Sequence, residues 1–146
     1  MNLESYIKEM DKTFLTIKKK LMPRLAEGID SSLSMSHLYI LRHVDCFDDC
    51  IVSELAQYLS ITLSGVTQLV EKLVKKNLVV RERSEDDRRV VYIKITDEGK
   101  NVLAKLNENR LKVYRDYFSV LTEEEMEVHF NILKKITSHA LREDEK

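Results

Sequence analysis

The sequence predicts a mainly α-helical protein, an α+β fold in a single domain whose β structure is one small hairpin. Three observations lead to this prediction. The 146 residues include only three glycines and one proline, which favours long helices over a sandwich of many short strands. Apolar residues recur at steps of three and four over most of the chain. Only two short runs, residues 78–84 and 89–96, are rich in β-branched residues.

The N-terminal segment predicts a long amphipathic helix. Its apolar side chains form one stripe, made of Leu3, Tyr6, Ile7, Met10, Phe14, Ile17 and Leu21. Pro23 and Gly28 are expected to end or interrupt this helix. A shorter second helix should follow, with Ser34 or Ser36 as its N-cap, and residues 46–50 are expected to form a loop.

Two further helices lie close together in the middle of the chain. The first is expected to be capped by Ser53, and the second to begin near Thr62 after a turn of three or four residues. This arrangement is typical of a helix-turn-helix. The outward positions of the second helix are small and polar first and basic later: Thr62, Ser64, Thr67, Gln68, Lys72 and Lys75. That order suits a helix whose N-terminal part faces base edges.

The two β-branched runs that follow predict a hairpin with a charged tip, residues 85–89. A hairpin directly after a helix-turn-helix predicts a winged helix-turn-helix, in which the hairpin is the wing. Arginines at the tip, together with Arg81, can reach DNA phosphates or the minor groove. The carboxylate of Asp87 is expected to hold the guanidinium of Arg88 or Arg89 in a fixed position.

The C-terminal part predicts two more helices. Thr96 is the expected N-cap of the first, which should run to about residue 120. Thr122 and Glu125 make a capping box for the last helix. The apolar stripes at both ends of this small chain, on the N-terminal helix and on these helices, need something to cover them, and a second subunit would do so.

Charge is distributed unevenly, although the formal net charge is only −1. Residues 62–94 carry eight Lys and Arg against five Asp and Glu, a local charge of +3. Residues 116–146 carry four Lys and Arg against eight Asp and Glu, a local charge of −4. A basic middle and an acidic end indicate one face for a polyanion, although ordinary solvated helix faces would give the same charges.

The segment Val52–Lys100 resembles the core of the MarR family of bacterial and archaeal regulators. The resemblance rests on the order and spacing of Leu55, Ala56, Val66, Thr67, Leu73, Leu78, Val79, Arg81, Asp87, Arg88, Arg89, Thr96 and Gly99. The Asp-Arg-Arg wing and the Thr-x-x-Gly motif are fairly specific in combination, and either alone would be weak. The flanking helix pattern is compatible with the family over nearly the whole chain.

This resemblance implies a homodimeric DNA-binding transcriptional regulator, expected to repress a palindromic (inverted-repeat) operator. Residues 1–33 and 97–146 would form dimerisation helices, and residues 34–96 the winged helix-turn-helix lobe. Half-sites should lie about one helical turn apart, because the two-fold symmetry of the protein is matched in its site.

The resemblance also implies roles for individual residues. Bases would be faced by Ser64, Thr67 and Gln68, and phosphates by Lys72 and by Lys75 or Lys76. Asp87 would orient the wing, and Arg89 (or Arg88) would enter the minor groove.

Many relatives in the family release DNA when a small phenolic or lipophilic ligand binds between the dimer helices and the DNA-binding lobe. We therefore expect a small-molecule effector here. Its pocket is placed at Tyr6, Leu38, Leu41 and Tyr114.

Cys46 and Cys50 offer a redox-responsive alternative to a ligand. Acidic residues surround them, and nearby carboxylates raise the pKa of a thiol, which disfavours a reactive thiolate. The family's redox cysteine lies in the first helix, where this chain has none. A zinc site from His43, the two cysteines and an Asp matches no strong spacing signature. Neither a metal nor a cofactor is therefore predicted.

Other classes of function have less support. An enzyme is not expected, because the sequence has neither a glycine-rich phosphate loop nor a nucleophile in a recognisable context. The adjacent Asp86 and Asp87 should point in different directions, which is poor geometry for acid–base catalysis. A winged helix that binds a protein partner remains an alternative, which the basic segment disfavours. With neither an apolar run near 18 residues nor a signal-peptide pattern, we expect no membrane association and a cytoplasmic protein.

Overall fold

A computed structural model describes residues 2–143, which form six helices and a three-stranded antiparallel sheet. The helices are α1 (Leu3–Leu25), α2 (Met35–Cys46), α3 (Val52–Leu59), α4 (Leu63–Lys75), α5 (Asp97–Phe118) and α6 (Glu123–Glu143). The strands are β1 (Cys50–Ile51), β2 (Val79–Arg83) and β3 (Val91–Ile95). The chain divides into two compact units after Asn109. The predicted order of helices, turn and hairpin is confirmed.

The ends of the helices follow local side-chain chemistry. The Asn2 side chain accepts a hydrogen bond from the Ser5 N–H at 2.9 Å and starts α1, which continues through Pro23 to Leu25. Ser34 is the residue before α2, and its N–H donates to Nδ1 of His37 at 2.9 Å. Ser34 rather than Ser36 is therefore the N-cap.

The start of α3 differs from the prediction. The helix begins at Val52, and the Glu54 carboxylate accepts the Ile51 N–H at 3.0 Å, so Ser53 lies inside the helix and is not its cap. The cap of α4 is as predicted, because Oγ1 of Thr62 accepts the Gly65 N–H at 3.1 Å. In the sequence, Ser53 and Glu54 are adjacent, and local spacing alone does not show whether the serine caps the helix or the glutamate accepts an N–H from the residue before it.

The sheet has one strand more than the predicted hairpin. β2 and β3 pair antiparallel, with Arg81 opposite Ile93 and Arg83 opposite Val91. β1, which lies at the end of the segment expected to be a loop, pairs with β3 through Cys50 and Ile93. A strand of two residues has no periodicity to detect, and its pairing depends on a partner more than 40 positions away in the sequence.

One hydrophobic core holds the helix-turn-helix and the sheet together. Its buried members are Leu38, Ile40, Leu41, Val44, Cys50, Leu55, Val66, Val70, Leu73, Leu78, Val79, Ile93 and Leu103. They come from α2, α3, α4, all three strands and the first turns of α5. The core therefore fixes α4 and the hairpin relative to each other.

The junction between β3 and α5 is closely packed. The Thr96 hydroxyl donates to the Asn77 carbonyl oxygen at 2.7 Å and accepts the Gly99 N–H at 3.0 Å, which confirms the predicted cap. A Cβ atom on Gly99 would lie 2.3 Å from the carbonyl oxygen of Leu78. Only glycine allows the first turn of α5 to approach the backbone of Leu78, the residue before β2, this closely.

Helices α1 and α6 each expose an apolar face. On α1 the exposed large apolar residues are Leu3, Tyr6, Ile7, Met10, Phe14, Leu15 and Ile17. On α6 they are Met126, Val128, Phe130, Ile132, Leu133, Ile136 and Leu141. Phe14 and Phe130 are both 59% exposed, which is far from the burial expected of a core aromatic residue. Over residues 2–143, no helix has the length and apolar character needed to span a membrane.

Candidate nucleic-acid interface

Helix α4 buries one face and presents the opposite one to solvent. Val66, Val70 and Leu73 are fully buried, so the helical period directs Ser64 and Gln68 away from the core, and both are exposed. Thr67 lies on the flank of this surface, half-buried, and its hydroxyl donates to the Leu63 carbonyl at 2.8 Å. In this conformation the Thr67 hydroxyl is bonded to the backbone of α4 itself, and the outermost polar groups are those of Ser64 and Gln68.

The basic residues of α4 are divided between two environments. Lys75 is exposed on the same face as Ser64 and Gln68. Lys72 instead donates from its ammonium group to the Ser32 carbonyl, and Lys76 pairs with Asp30 at 2.5 Å. The structure therefore brings Lys75 to the surface expected to meet phosphates and turns Lys72 and Lys76 toward the loop between α1 and α2.

Glu71 also lies on the exposed face of α4 and was missed among the outward positions. It follows Ser64 by seven residues, which is two helical turns, and it is exposed. The spacing alone could have found it. Its carboxylate lowers the positive charge beside Lys75, so this face of α4 is less basic than the list of outward positions alone indicated.

The wing is a regular hairpin with an ordered tip. Lys94 and Glu82, on opposite strands, form an ion pair at 3.2 Å. At the tip the Ser84 N–H donates to the Val90 carbonyl at 3.0 Å, and the Val90 N–H donates to the Asp87 carbonyl at 2.9 Å. The turn is therefore closed by hydrogen bonds on both sides of the arginine pair.

Asp87 contacts the arginine pair through the backbone of Arg89. Its carboxylate accepts the Arg89 N–H at 2.9 Å, and its own N–H donates to the Ser84 hydroxyl at 3.3 Å. We expected the carboxylate to hold a guanidinium, but among the ion pairs of residues 2–143 none joins Asp87 to Arg88 or Arg89. A carboxylate two residues before an N–H closes a compact ring, whereas holding a long guanidinium would cost more side-chain entropy. Arg88 and Arg89 remain exposed.

Comparisons with known proteins show the family of the chain and its fold. Residues 31–90 match the model described as the MarR family. The chain is 31% identical over 129 residues to the HTH-type transcriptional repressor MdtR of Bacillus subtilis, which covers 88% of this chain and 83% of that protein. The chain belongs to the MarR family. The resemblance seen in the sequence is confirmed, and the chain is a winged-helix transcriptional regulator of that family.

Solved structures share the fold of this MarR-family chain. The YusO protein from Bacillus subtilis matches with a TM-score of 0.75 and 26% identity, over 94% of this chain and 99% of YusO. FabT of Streptococcus pneumoniae, whose structure was determined in complex with DNA, matches with a TM-score of 0.81 and 21% identity. That match covers 99% of this chain and 100% of FabT and shows the fold.

The two cysteines lie in different environments. Cys46 is exposed, whereas Cys50 is fully buried in β1. Burial, with a smaller contribution from Glu54, raises the pKa of the Cys50 thiol to about 11, so this group is protonated at neutral pH. A protonated thiol is a poor nucleophile, which disfavours a redox role for Cys50.

The metal hypothesis receives no support from the geometry. Within residues 2–143, no group of three or more His, Cys, Asp and Glu residues is arranged to hold a metal ion. The ring of His43 packs instead against two aromatic rings, at 4.7 Å from Phe47 and 4.3 Å from Tyr58 between centroids.

The four residues proposed for an effector pocket also lie in different environments. Leu38 and Leu41 are at most 2% exposed and belong to the packed core. Tyr6 lies on the exposed face of α1, and the half-exposed Tyr114 packs against Phe118, with ring centroids 5.9 Å apart.

A buried asparagine fixes the end of α1, and the sequence analysis did not predict it. Asn109, only 5% exposed, donates from its side-chain amide to the Leu25 carbonyl at 3.0 Å and to the Glu27 carbonyl at 2.7 Å. These bonds satisfy carbonyl groups that the end of a helix leaves open. A single polar residue inside a helical pattern gives no sequence signal for such a contact.

Proposed function

We propose that the protein is a homodimeric repressor that binds an inverted-repeat operator in double-stranded DNA and is released by a small-molecule effector. The observation that carries the proposal is the exposed polar face of α4 beside a hydrogen-bonded wing tip with two exposed arginines. In this arrangement α4 enters the major groove and the wing lies along the adjacent minor groove. FabT, which has the same fold, was crystallised with DNA, and this supports the proposal.

The contacts divide by chemistry. Ser64 and Gln68 read base edges, because they are the outermost polar groups on the first two turns of α4. Lys75, Arg81 and one wing arginine contact phosphates or the minor groove. Thr67 can join the base contacts only if its hydroxyl leaves the Leu63 carbonyl. Likewise, Lys72 can contact a phosphate only if its ammonium group leaves the Ser32 carbonyl.

The homodimer is supported by the apolar faces of α1 and α6. Each exposes several large apolar side chains, and in water such side chains favour association. Two-fold pairing of these faces would place two copies of α4 on one duplex. The division of labour, with residues 34–96 for DNA and the flanking helices for pairing, belongs to the same proposal.

The effector proposal rests on membership of the MarR family. Tyr6 and Tyr114 are its accessible candidates. Leu38 and Leu41 could contact a ligand only if the packed core opened.

The first experiment is selection from a random duplex library with the purified protein. We expect enrichment of an inverted repeat with half-sites about 10 base pairs apart, centre to centre. Affinity for this operator should fall steeply between about 50 and 200 mM salt, because bound phosphates release their counterions. An absence of duplex binding would refute the proposal and leave a protein-interaction module. Binding to all duplexes without enrichment would refute the sequence-specific part.

A further inference from the structure

We propose that the turn at residues 30–32, together with Lys72 and Lys76, which it binds, forms a clamp that sets the position of α4. Asp30 and Lys76 then act as positioning residues for operator recognition. The inference rests on the proposed function and adds to it a part of the molecule outside the DNA-reading surface.

The clamp joins two distant segments through two side chains. Lys72 lies in the last turn of α4, and Lys76, four positions later, is the residue that caps the end of this helix, so the two side chains lie on the same flank. The Lys72 ammonium donates to the Ser32 carbonyl, across 40 positions of sequence. The Lys76 ammonium pairs with Oδ2 of Asp30 at 2.5 Å, across 46 positions. Two contacts to one short turn restrict both the rotation of α4 and its sliding along its axis.

Asp30 is already oriented for its partner. Its Oδ1 atom accepts the Ser32 N–H at 2.9 Å, and its carbonyl accepts the Leu33 N–H at 2.9 Å. The Lys76 hydrogen bond first, and then the bonds from Ser32, hold the pKa of Asp30 well below its usual range. The carboxylate is therefore ionised at every pH at which the fold would be expected to bind DNA.

The turn is itself fixed to the rest of the lobe. Leu33 and Ile29 pack against the hydrophobic core, and Leu25 before them is buried. The two Asn109 hydrogen bonds hold the carbonyls of Leu25 and Glu27. The clamp thus connects α4 with the end of α1, the helix whose apolar face we assign to the dimer. In a homodimer such a connection sets the separation of the two α4 helices, which must match the half-site spacing.

Electrostatics favours a positioning role over a phosphate contact for Lys76. Paired with Asp30, it adds no net charge to attract a polyanion. The two side chains are 31% and 46% exposed, and ion pairs with this exposure contribute little to stability. The effect of the clamp should therefore appear in operator preference more than in the melting temperature. Recognition geometry depends on supporting contacts that hold reading groups within about 0.5 Å.

The test exploits the sign of the charge change. Asp30→Asn removes a negative charge, so charge alone predicts equal or tighter binding to any duplex. If the clamp positions α4, the ratio of operator affinity to random-duplex affinity should instead fall by about tenfold, within the range that coupled pairs show. Glu27→Gln is the matched control, since it removes the same charge from an exposed side chain three residues earlier. The double variant Asp30→Lys with Lys76→Glu swaps the charges of the ion pair. Its ratio of operator affinity to random-duplex affinity should lie between that of Asp30→Asn and that of wild type.

A second measurement separates this inference from the proposed function. Hydrogen exchange of residues 63–76 in the DNA-free protein should be faster in Asp30→Asn than in wild type and unchanged in Glu27→Gln. Hydrogen exchange tests the clamp without DNA. If wild type selects no operator, the proposed function is refuted, but the clamp is still tested by this measurement. Equal exchange in the two variants, with equal affinity ratios where an operator exists, would overturn the clamp.

Discussion

The carboxylate of Asp87 accepts the backbone N–H of Arg89 at 2.9 Å, and this bond closes the tip of the wing. The carboxylate thus fixes where the arginine backbone lies and leaves the guanidinium group to extend outward. An acidic residue within a basic tip therefore has a structural role that its charge alone would not explain. The function of the wing can be tested by separating this bond from the charge.

Asp87→Ala and Asp87→Asn separate the two contributions. Both remove the negative charge, but the Asn side-chain oxygen can still accept the Arg89 N–H. We expect Asp87→Ala to bind operator DNA more weakly than wild type, and Asp87→Asn to bind at least as tightly. Fluorescence anisotropy at one fixed salt concentration measures the difference. Equal affinities for the two variants would show that the turn bond does not matter for binding.

Arg89→Ala should weaken binding to every duplex, or selectively to those with A/T-rich flanks. Loss of one phosphate contact should reduce the slope of log affinity against log salt by about 1. Loss of a minor-groove contact should lower affinity most where the groove is narrow. Arg88→Ala is the matched variant one position away, and comparison of the two identifies which arginine enters the groove. An Arg89→Ala variant with wild-type affinity and salt slope would refute its assignment.

Gln68→Ala should relax the preference at one base position of each half-site. A side-chain amide that bonds a base edge discriminates by about 1–3 kcal/mol, and alanine cannot reproduce this contact. Repeating the selection with the variant measures the change position by position. A uniform loss of affinity with an unaltered consensus would mean that Gln68 contacts the backbone of the duplex and does not read a base.

Gly99→Ala should destabilise the lobe. The added Cβ would lie 2.3 Å from the Leu78 carbonyl oxygen, so the first turn of α5 must move at a cost of about 1–3 kcal/mol, as overpacked sites show. Gly65→Ala is the control, because the atoms nearest its added Cβ are side-chain atoms at 3.2 and 3.7 Å. Urea unfolding compares the two variants. A loss in Gly99→Ala no larger than that in Gly65→Ala would contradict the proposed close contact.

Stability should fall in mildly acidic solution because of His37. Burial, and then the charges of Lys72 and Lys76, lower the pKa of this imidazole below its usual 6.5. As pH falls below about 6.5, His37 takes up a proton more readily in the unfolded chain than in the folded one. The free energy of unfolding therefore decreases as pH falls through that value. His37→Gln keeps an acceptor for the Ser34 N–H but does not titrate.

The measurement for His37 is urea unfolding between pH 7.5 and pH 5. Wild type should lose more stability over this interval than His37→Gln, since all other titrating groups are common to the two proteins. Parallel pH profiles would show that His37 is not the responsible group.

Much of α4 was predictable from local pattern. The buried stripe of Val66, Val70 and Leu73 follows the helical period, and Thr62 has the chemistry of a cap. The hairpin follows from two β-branched runs, and Gly99 follows Thr96 at a spacing that the family resemblance flagged. The reason for that glycine, contact with the Leu78 carbonyl, required the packed structure.

By itself, the sequence determined the type and order of the helices, the hairpin and the exposed polar face of α4, because each depends on residues within a few positions of one another. Only the tertiary structure decided the pairing of β1 with β3, the bonds of Asn109 and the contacts of Lys72 and Lys76. A lysine has four side-chain torsions, and its partner in the clamp lies 40 or 46 positions away. Periodicity carries no information about contacts over that distance, since they depend on how the packed core brings the segments together.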